Sequence, residues 1–316
     1  MQSGGMSAPP EPSCRLYAIL ARDGRSAVVF RRGPSKQVLL LRWWLDEDRF
    51  EEGQWFKGRI YEYRCDLSPD GELLIYFAAK WKGPHDTWTA VSRPPYLTAL
   101  VMWPKGDAWG GGGVFNSATS IGLNHRSCDG GKAPGRQGTW HPLGPERRAP
   151  VPSRYSVALV SDWAGAGEDN PIHAHRIMRD GWTCIAEGDA GPYSSGSVAW
   201  DFRSPEIYER ASPKGGLRLR RLLKAIHQRN GPWYVHDFEV VTSEGTSLRL
   251  IPDCSWADWS PNGDLLFAVN GSLYRLKAAD AKAAAASPQE AGKQIVDLSN
   301  LTFQHRPAPD WATKWP

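Results

Sequence analysis

One short corner recurs in this chain and narrows what it can fold into. Arg64–Phe77 reads RCDLSPDGELLIYF and Ala257–Phe267 reads ADWSPNGDLLF. Each carries an Asp, an apolar residue, Ser-Pro, then Asp-Gly or Asn-Gly, an acidic residue and an apolar run. A third segment, Tyr208–Arg220 (YERASPKGGLRLR), keeps Ser-Pro-x-Gly and an alternating run but lacks the Asp. Proline presets φ early in a tight turn and glycine accepts positive φ later in it, so each segment reads as a strand that ends, turns and returns. Trp200–Pro205 (WDFRSP) is a weaker echo. Ser212 and Ser260 stand 48 residues apart, and Ser68 and Ser212 stand 144 apart, three times that interval. A period of this size belongs to sheet units repeated along a chain.

The rest of the sequence is read around these corners. Leu16–Leu20 and Ser26–Phe30 flank an Asp23-Gly24 hairpin turn, and Gln37–Trp44 follows as a third strand. Asp46–Arg49 with Glu51-Glu52 reads as a charged loop. Arg59–Cys65 (RIYEYRC) alternates large apolar with polar residues and reads as a half-buried strand. Glu72–Ala79, Thr87–Ser92, Tyr96–Trp103, Tyr155–Val160, Ser197–Phe202, Trp233–Thr242, Leu248–Ile251, Cys254–Trp259, Asp264–Val269 and Ser272–Lys277 are further strands. Ala174–Met178, an Arg179-Asp180-Gly181 turn and Trp182–Ala186 read as another hairpin. Leu217–Arg229 is ambiguous: Leu217–Arg220 alternates like a strand, while Leu219, Leu222, Leu223 and Ile226 fall at helical spacing. Residues 127–153 are loop-like, and Ala278–Lys293 reads as a linker or frayed helix.

The Ser-Pro-Asp-Gly hairpins resemble those of propeller blades in the TolB-like and WD40-like families. That resemblance implies an all-β fold, a β-propeller of about five or six degenerate blades, with room for one short inserted helix. It implies a fold and no particular function. The domain reading is a flexible tail over 1–13, one propeller-like domain over 14–305 and a C-terminal tail over 306–316.

Composition supports this reading. In 316 residues, 32 Gly and 25 Pro are scattered without a period, as turn punctuation between short strands. The net charge of +4 describes a balanced surface. The five cysteines, Cys14, Cys65, Cys128, Cys184 and Cys254, form no CxxC pair, which argues against a disulfide scaffold or a zinc site. The first residues have neither the charged nor the apolar region of a signal peptide, and no apolar run reaches the length of a membrane span. The expected location is the cytoplasm, with no membrane partner.

Sixteen tryptophans either stack inside repeated sheets or serve as binding platforms. The region joining aromatic residues to Gly/Pro-rich loops is the expected binding surface, with Trp81, His85, Trp88, Arg93, Trp103, Trp109, Asn116 and His125 as its residues and a protein as its partner. Asp66, Asp201 and Asp258 support an alternative, a carbohydrate-active hydrolase with acids at a propeller funnel. A repeated Asp before a hairpin also holds turn N–H groups. His173 and His175 would share one face of a strand; Asp162, Glu168 and Asp169 lie in or near the loop before them, but no third metal ligand stands out. The Gly110–Gly113 run lacks a P-loop ending and is read as close backbone packing or a rim loop. Arg218, Arg220, Arg221, Lys224 and Arg229 form a basic segment that nucleic acid would need, a lesser reading. No cofactor and no catalytic residue is expected.

Overall fold

The Ser-Pro-x-Gly corners adopt one geometry. In each, the glycine N–H donates to the serine carbonyl, over 2.9 Å for the pairs Gly71–Ser68, Gly215–Ser212 and Gly263–Ser260. These glycines have φ of 73°, 69° and 78°, in the left-handed region that side chains disfavour. The serine Oγ closes the turn by accepting a backbone N–H, from Leu73 at 2.9 Å, Asp264 at 3.0 Å and Lys214 at 3.3 Å. Ala21–Gly24 makes the same bond, Gly24 N–H to Ala21 carbonyl at 3.0 Å, with neither Ser nor Pro.

The computed structural model describes residues 14–34, 36–82, 85–125, 146–147, 151–160, 163–229, 232–283 and 292–316. Tail 1–13, the Gly83-Pro84 and Asn230-Gly231 turns, Cys128, Asp162 and most of the 127–153 loop lie outside them. The described strands form five sheets. The first holds β1 (Arg15–Leu20), β2 (Ser26–Arg32), β3 (Gln37–Trp44) and β4 (Arg49–Lys57). The second holds β5 (Arg59–Ile60), β6 (Asp66–Leu67), β7 (Leu74–Ala79), β8 (Thr87–Ser92), β9 (Ala99–Pro104) and a distant β12 (Glu146–Arg147). The third joins β10 (Gly113–Phe115), β11 (Ser120–Leu123) and β13 (Ser156–Leu159), the last pair parallel. The fourth contains β14 (Thr183–Ala186), β15 (Asp189–Ala190), β16 (Val198–Ala211), β17 (Leu217–Gln228), β18 (Tyr234–Thr242) and β19 (Ser247–Ile251). The fifth contains β20 (Cys254–Trp259), β21 (Leu265–Val269), β22 (Ser272–Leu276) and β23 (Lys293–Asp297).

The sheets are arranged around an axis. Neighbouring corners touch: Asp23 N–H donates to the Pro69 carbonyl at 2.9 Å. A Cβ on Gly24 would lie 2.5 Å from Pro261, and one on Gly263 would lie 2.4 Å from Lys214. The corners therefore follow one another in the order Ser212, Ser260, Ala21, Ser68. The last sheet closes on the first, with β1 against β20 and β21 and the Ser255 hydroxyl donating to the Leu16 carbonyl at 2.8 Å. On the other side β10 lies against β6 and β7. The fold is all-β and propeller-like. Strands such as β7 (LIYFAA) and β21 (LLFAV) are buried at every position, because each is covered on both faces by neighbouring sheets.

Three sequence expectations give way to the structure, and the ambiguity at Leu217–Arg229 resolves as strand. The charged run 46–52 is not all loop: from Arg49 it belongs to β4, an outer strand whose polar residues face water. Arg59–Cys65 is a strand only at Arg59–Ile60, then a 3-10 turn over Glu62–Arg64. There the Arg64 guanidinium turns inward, donating to Asp169 at 2.7 Å and to the Ala108 and Gly110 carbonyls. Ala174–Met178 is not a strand but part of helix α1 (Ile172–Arg179). Its inward face is Ile172, His173, Arg176 and Ile177, a helical spacing hidden because two of the four are polar. Leu217–Arg229 holds no helix: β17 alternates Leu217, Leu219, Arg221, Leu223 and Ala225 inward, and Leu222 and Ile226 lie on the opposite face. A short α2 (Ala278–Ala283) covers the start of the Ala-rich stretch.

The glycine run packs closely. A Cβ at Gly112 would lie 2.2 Å from the Arg64 carbonyl, and one at Gly111 2.3 Å from the Phe77 ring. Residues 306–316 run back over the sheets. Arg306 pairs with Glu52 at 2.7 Å, and Trp311 meets Tyr96 edge-on, with ring centroids 5.5 Å apart. No helix among the described residues is long and apolar enough to cross a membrane.

Candidate functional site

The inner strands leave a passage along the axis, and α1 sits within it. Arg176 reaches out from this helix to the first two sheets, donating to the Cys65 carbonyl at 2.6 Å and to the Tyr17 hydroxyl. The passage then has a corner end and an opposite end.

At the corner end the acids are all engaged. Asp66 is fully buried and accepts two bonds from the Arg179 guanidinium, at 2.7 and 3.0 Å, plus the Phe115 N–H at 2.7 Å. Arg179 also donates to Asp180 at 2.9 Å. Asp258 pairs with Arg210 and accepts the Trp259 N–H. Burial pushes the Asp258 carboxyl above its ordinary range, and Arg210 opposes that shift. Asp66 and Asp258 both stand two residues before a corner serine. In the third repeat that position is Arg210, so the segment lacking the Asp supplies the partner for its neighbour's.

Midway lies a small cavity of about 50 Å³ between Tyr17, Tyr63, His173, Arg176, Arg221 and Asp258. His173 bonds Arg221 at 3.0 Å. Burial first, then the Arg221 charge, holds both His173 and His236 well below the ordinary histidine range, so both are neutral at pH 7. The pair His173 and His175 does not share a face: α1 turns His173 inward and leaves His175 outside. Among the described residues no group of three or more His, Cys, Asp or Glu is placed to hold a metal ion.

The opposite end opens into a cavity of about 570 Å³, a volume typical of small-molecule sites. Its walls come from the start of β1, the end of β2, β5 with the turn after it, the loop before α1, the end of β17, the start of β18, and the loops before β20 and β22. Rings dominate it. Tyr63 lies 4.9 Å from Tyr17, 4.3 Å from His173 and 5.0 Å from Tyr234, centroid to centroid. Tyr234 donates to Asp169 at 2.9 Å. Burial, reinforced by that carboxylate, holds its phenol protonated. Cys14 and Cys254 also line the cavity, and burial pushes their thiols up to about 11 and about 12, so neither is a thiolate at neutral pH.

The residues expected to bind a partner do not converge. Trp81, with φ of 55°, and Trp109 are exposed at 49% and 55%. Trp81 and His85 lie between β7 and β8, and Trp109 follows β9, all toward the end away from the corners. Trp88 lies on β8 with its ring edge-on to Phe56. Trp103 and His125 are buried, the latter bonded to Thr89 at 2.8 Å. Arg93 and Asn116 lie toward the corner end, Arg93 bonded to Glu72 and the Trp311 carbonyl. Of the basic segment, Arg220 pairs with Glu209, Lys224 with Asp237, and Arg221 is buried. Asp201 lies exposed on β16. The sequence reasoning passed over Arg15, Arg32, Arg59, Tyr61, Tyr63 and Tyr234. The only signal was the alternation of aromatic with charged residues in RIYEYRC.

Fold and cavity together define a propeller-like β-protein with a ligand-sized cavity at one end of its axis. No family model matches the chain, and no curated protein is significantly similar to it. Solved structures are similar over most of their length, but remotely. Hydrazine synthase of Kuenenia stuttgartiensis shares 10% identity at a TM-score of 0.29, covering 92% of this chain and 84% of that one. An uncharacterized protein of Listeria monocytogenes shares 11% at 0.29, covering 94% and 87%. An oligogalacturonate lyase in complex with manganese shares 10% at 0.21, covering 86% and 77%. Similarity this remote carries no chemistry from those proteins to this one.

Proposed function

We propose that the protein is a binding module that holds a small molecule in the axial cavity away from the corners. The observation that carries this reading is the cavity itself: about 570 Å³, walled by tyrosine, tryptophan and histidine rings interspersed with arginine and acidic side chains. Binding accounts for the site better than hydrolysis. A funnel hydrolase needs one acid free to give a proton and one free to act as base or nucleophile. Asp66 has both oxygens held by a guanidinium, Asp258 is paired to Arg210, and Asp201 lies on the exposed face of another strand.

Native mass spectrometry of the full chain after incubation with small-molecule extracts of the host tests the proposal. A bound species is expected, and Val235→Trp, which places an indole in the cavity wall, should exclude it. A chain that retains nothing, or a Val235→Trp variant that retains the same species, would overturn the reading. A protein-holding role rests on a different observation, the exposure of Trp81 and Trp109. It would show as a partner recovered by the wild type and lost by a Trp81→Ala, Trp109→Ala variant.

A further inference from the structure

The wall built by β1, β2 and β5 carries three guanidinium groups, those of Arg15, Arg32 and Arg59. Arg32 is paired with Glu62. Arg15 and Arg59 have no ion-pair partner among the described residues. Arg59 lies over the Tyr61 ring at 4.3 Å, and its Nε is buried without a hydrogen-bond acceptor. The remaining acids of the cavity do not relieve them. Asp169 is held by Arg64 and Tyr234, Asp237 by Lys224, and Asp253 lies exposed at the rim.

This wall is therefore short of negative charge. Burial, and then the like charge of Arg32, lower the Arg15 pKa; Glu62 opposes the shift and Arg59 adds to it. An uncompensated guanidinium out of bulk water is costly. A planar oxyanion relieves it twice over, through Coulomb attraction and through paired N–H bonds that fit the guanidinium fork. Beside these groups stand the rings of Tyr63 and Tyr234.

Resting on the reading of this cavity as a ligand site, we propose that its ligand is a small planar ring bearing an oxyanion, either carboxylate or phosphate. Arg15 and Arg59 clasp the oxyanion, and the tyrosines take the ring.

Calorimetric titration of the full chain with naphthoate, naphthyl phosphate and neutral naphthalenemethanol tests this. At least one acid should bind on the order of tenfold more tightly than the alcohol, and weaken as salt rises. The stronger of the two acids identifies the oxyanion. Arg59→Gln and Arg15→Gln should each remove most of the advantage, Arg59→Lys should restore part of it, and circular dichroism should show all three folded. Equal binding of alcohol and acids, or unchanged binding by the folded Gln variants, would overturn the oxyanion assignment and leave the cavity reading standing. Binding of none of the three compounds would overturn both.

Discussion

The two ends of the axial passage are built from the same kinds of residue and use them in opposite ways. At the corner end Asp66, Asp180 and Asp258 meet Arg179 and Arg210, and every carboxylate is matched. At the far end Arg15 and Arg59 stand beside acids that, apart from Asp253 exposed at the rim, are already taken by other partners. A closed network of buried ion pairs fixes register and geometry but has nothing left to offer a ligand. A wall with unmatched guanidinium groups does less for the fold and keeps its bonding capacity for something else. The corner end ties repeats together, and the open end is free to bind.

Substitutions can break this contrast. Asp66→Ala should have the largest effect: it strands the buried Phe115 N–H and leaves Arg179 with only Asp180 and the Phe115 carbonyl, with an expected loss of about 3 kcal/mol in chemical denaturation. A loss under about 1 kcal/mol would show that the network is dispensable.

Midway along the passage, the neutral histidines make stability depend on pH. Their folded pKa values lie below the ordinary 6.5, so the unfolded chain takes up protons first. Stability should be full above about pH 6.5 and fall as the pH drops below it. Melting temperatures read from pH 8 down to about pH 5 check this, and His173→Gln should flatten the decline.

Next in size, Ser68→Ala and Ser260→Ala should cost about 1 kcal/mol each, since each loses a hydroxyl that accepts a backbone N–H of its corner. Unequal costs would mark one corner as more weighted than the other. The smallest effect belongs to the open end. Arg59→Gln should change stability by no more than about 0.5 kcal/mol, and a large loss would mean that this wall also holds the fold together.

Much of the architecture was legible because it is local. Corner glycines, their serines and the apolar runs after them are nearest-neighbour facts, and β3, β8 and β20 fall where the pattern places them. The misses have separate causes. His173 and Arg176 are buried yet polar, so the inward face of α1 carried no hydrophobic signal. β4 is an outer strand, where alternation has little to report. β17 carries leucines on both faces, and two faces of leucine imitate a helix. At the site, Arg15 and Arg59 are 44 positions apart in the sequence, and Asp66 and Arg179 are 113 apart.

What the sequence determined by itself is the repeated turn and the strands on either side of it, because backbone preference and side-chain alternation act within a few residues. Only the tertiary structure decided which charges cancel. Whether a guanidinium meets a carboxylate depends on how distant strands are brought together around the axis, and the spacing of residues along the chain holds no record of that.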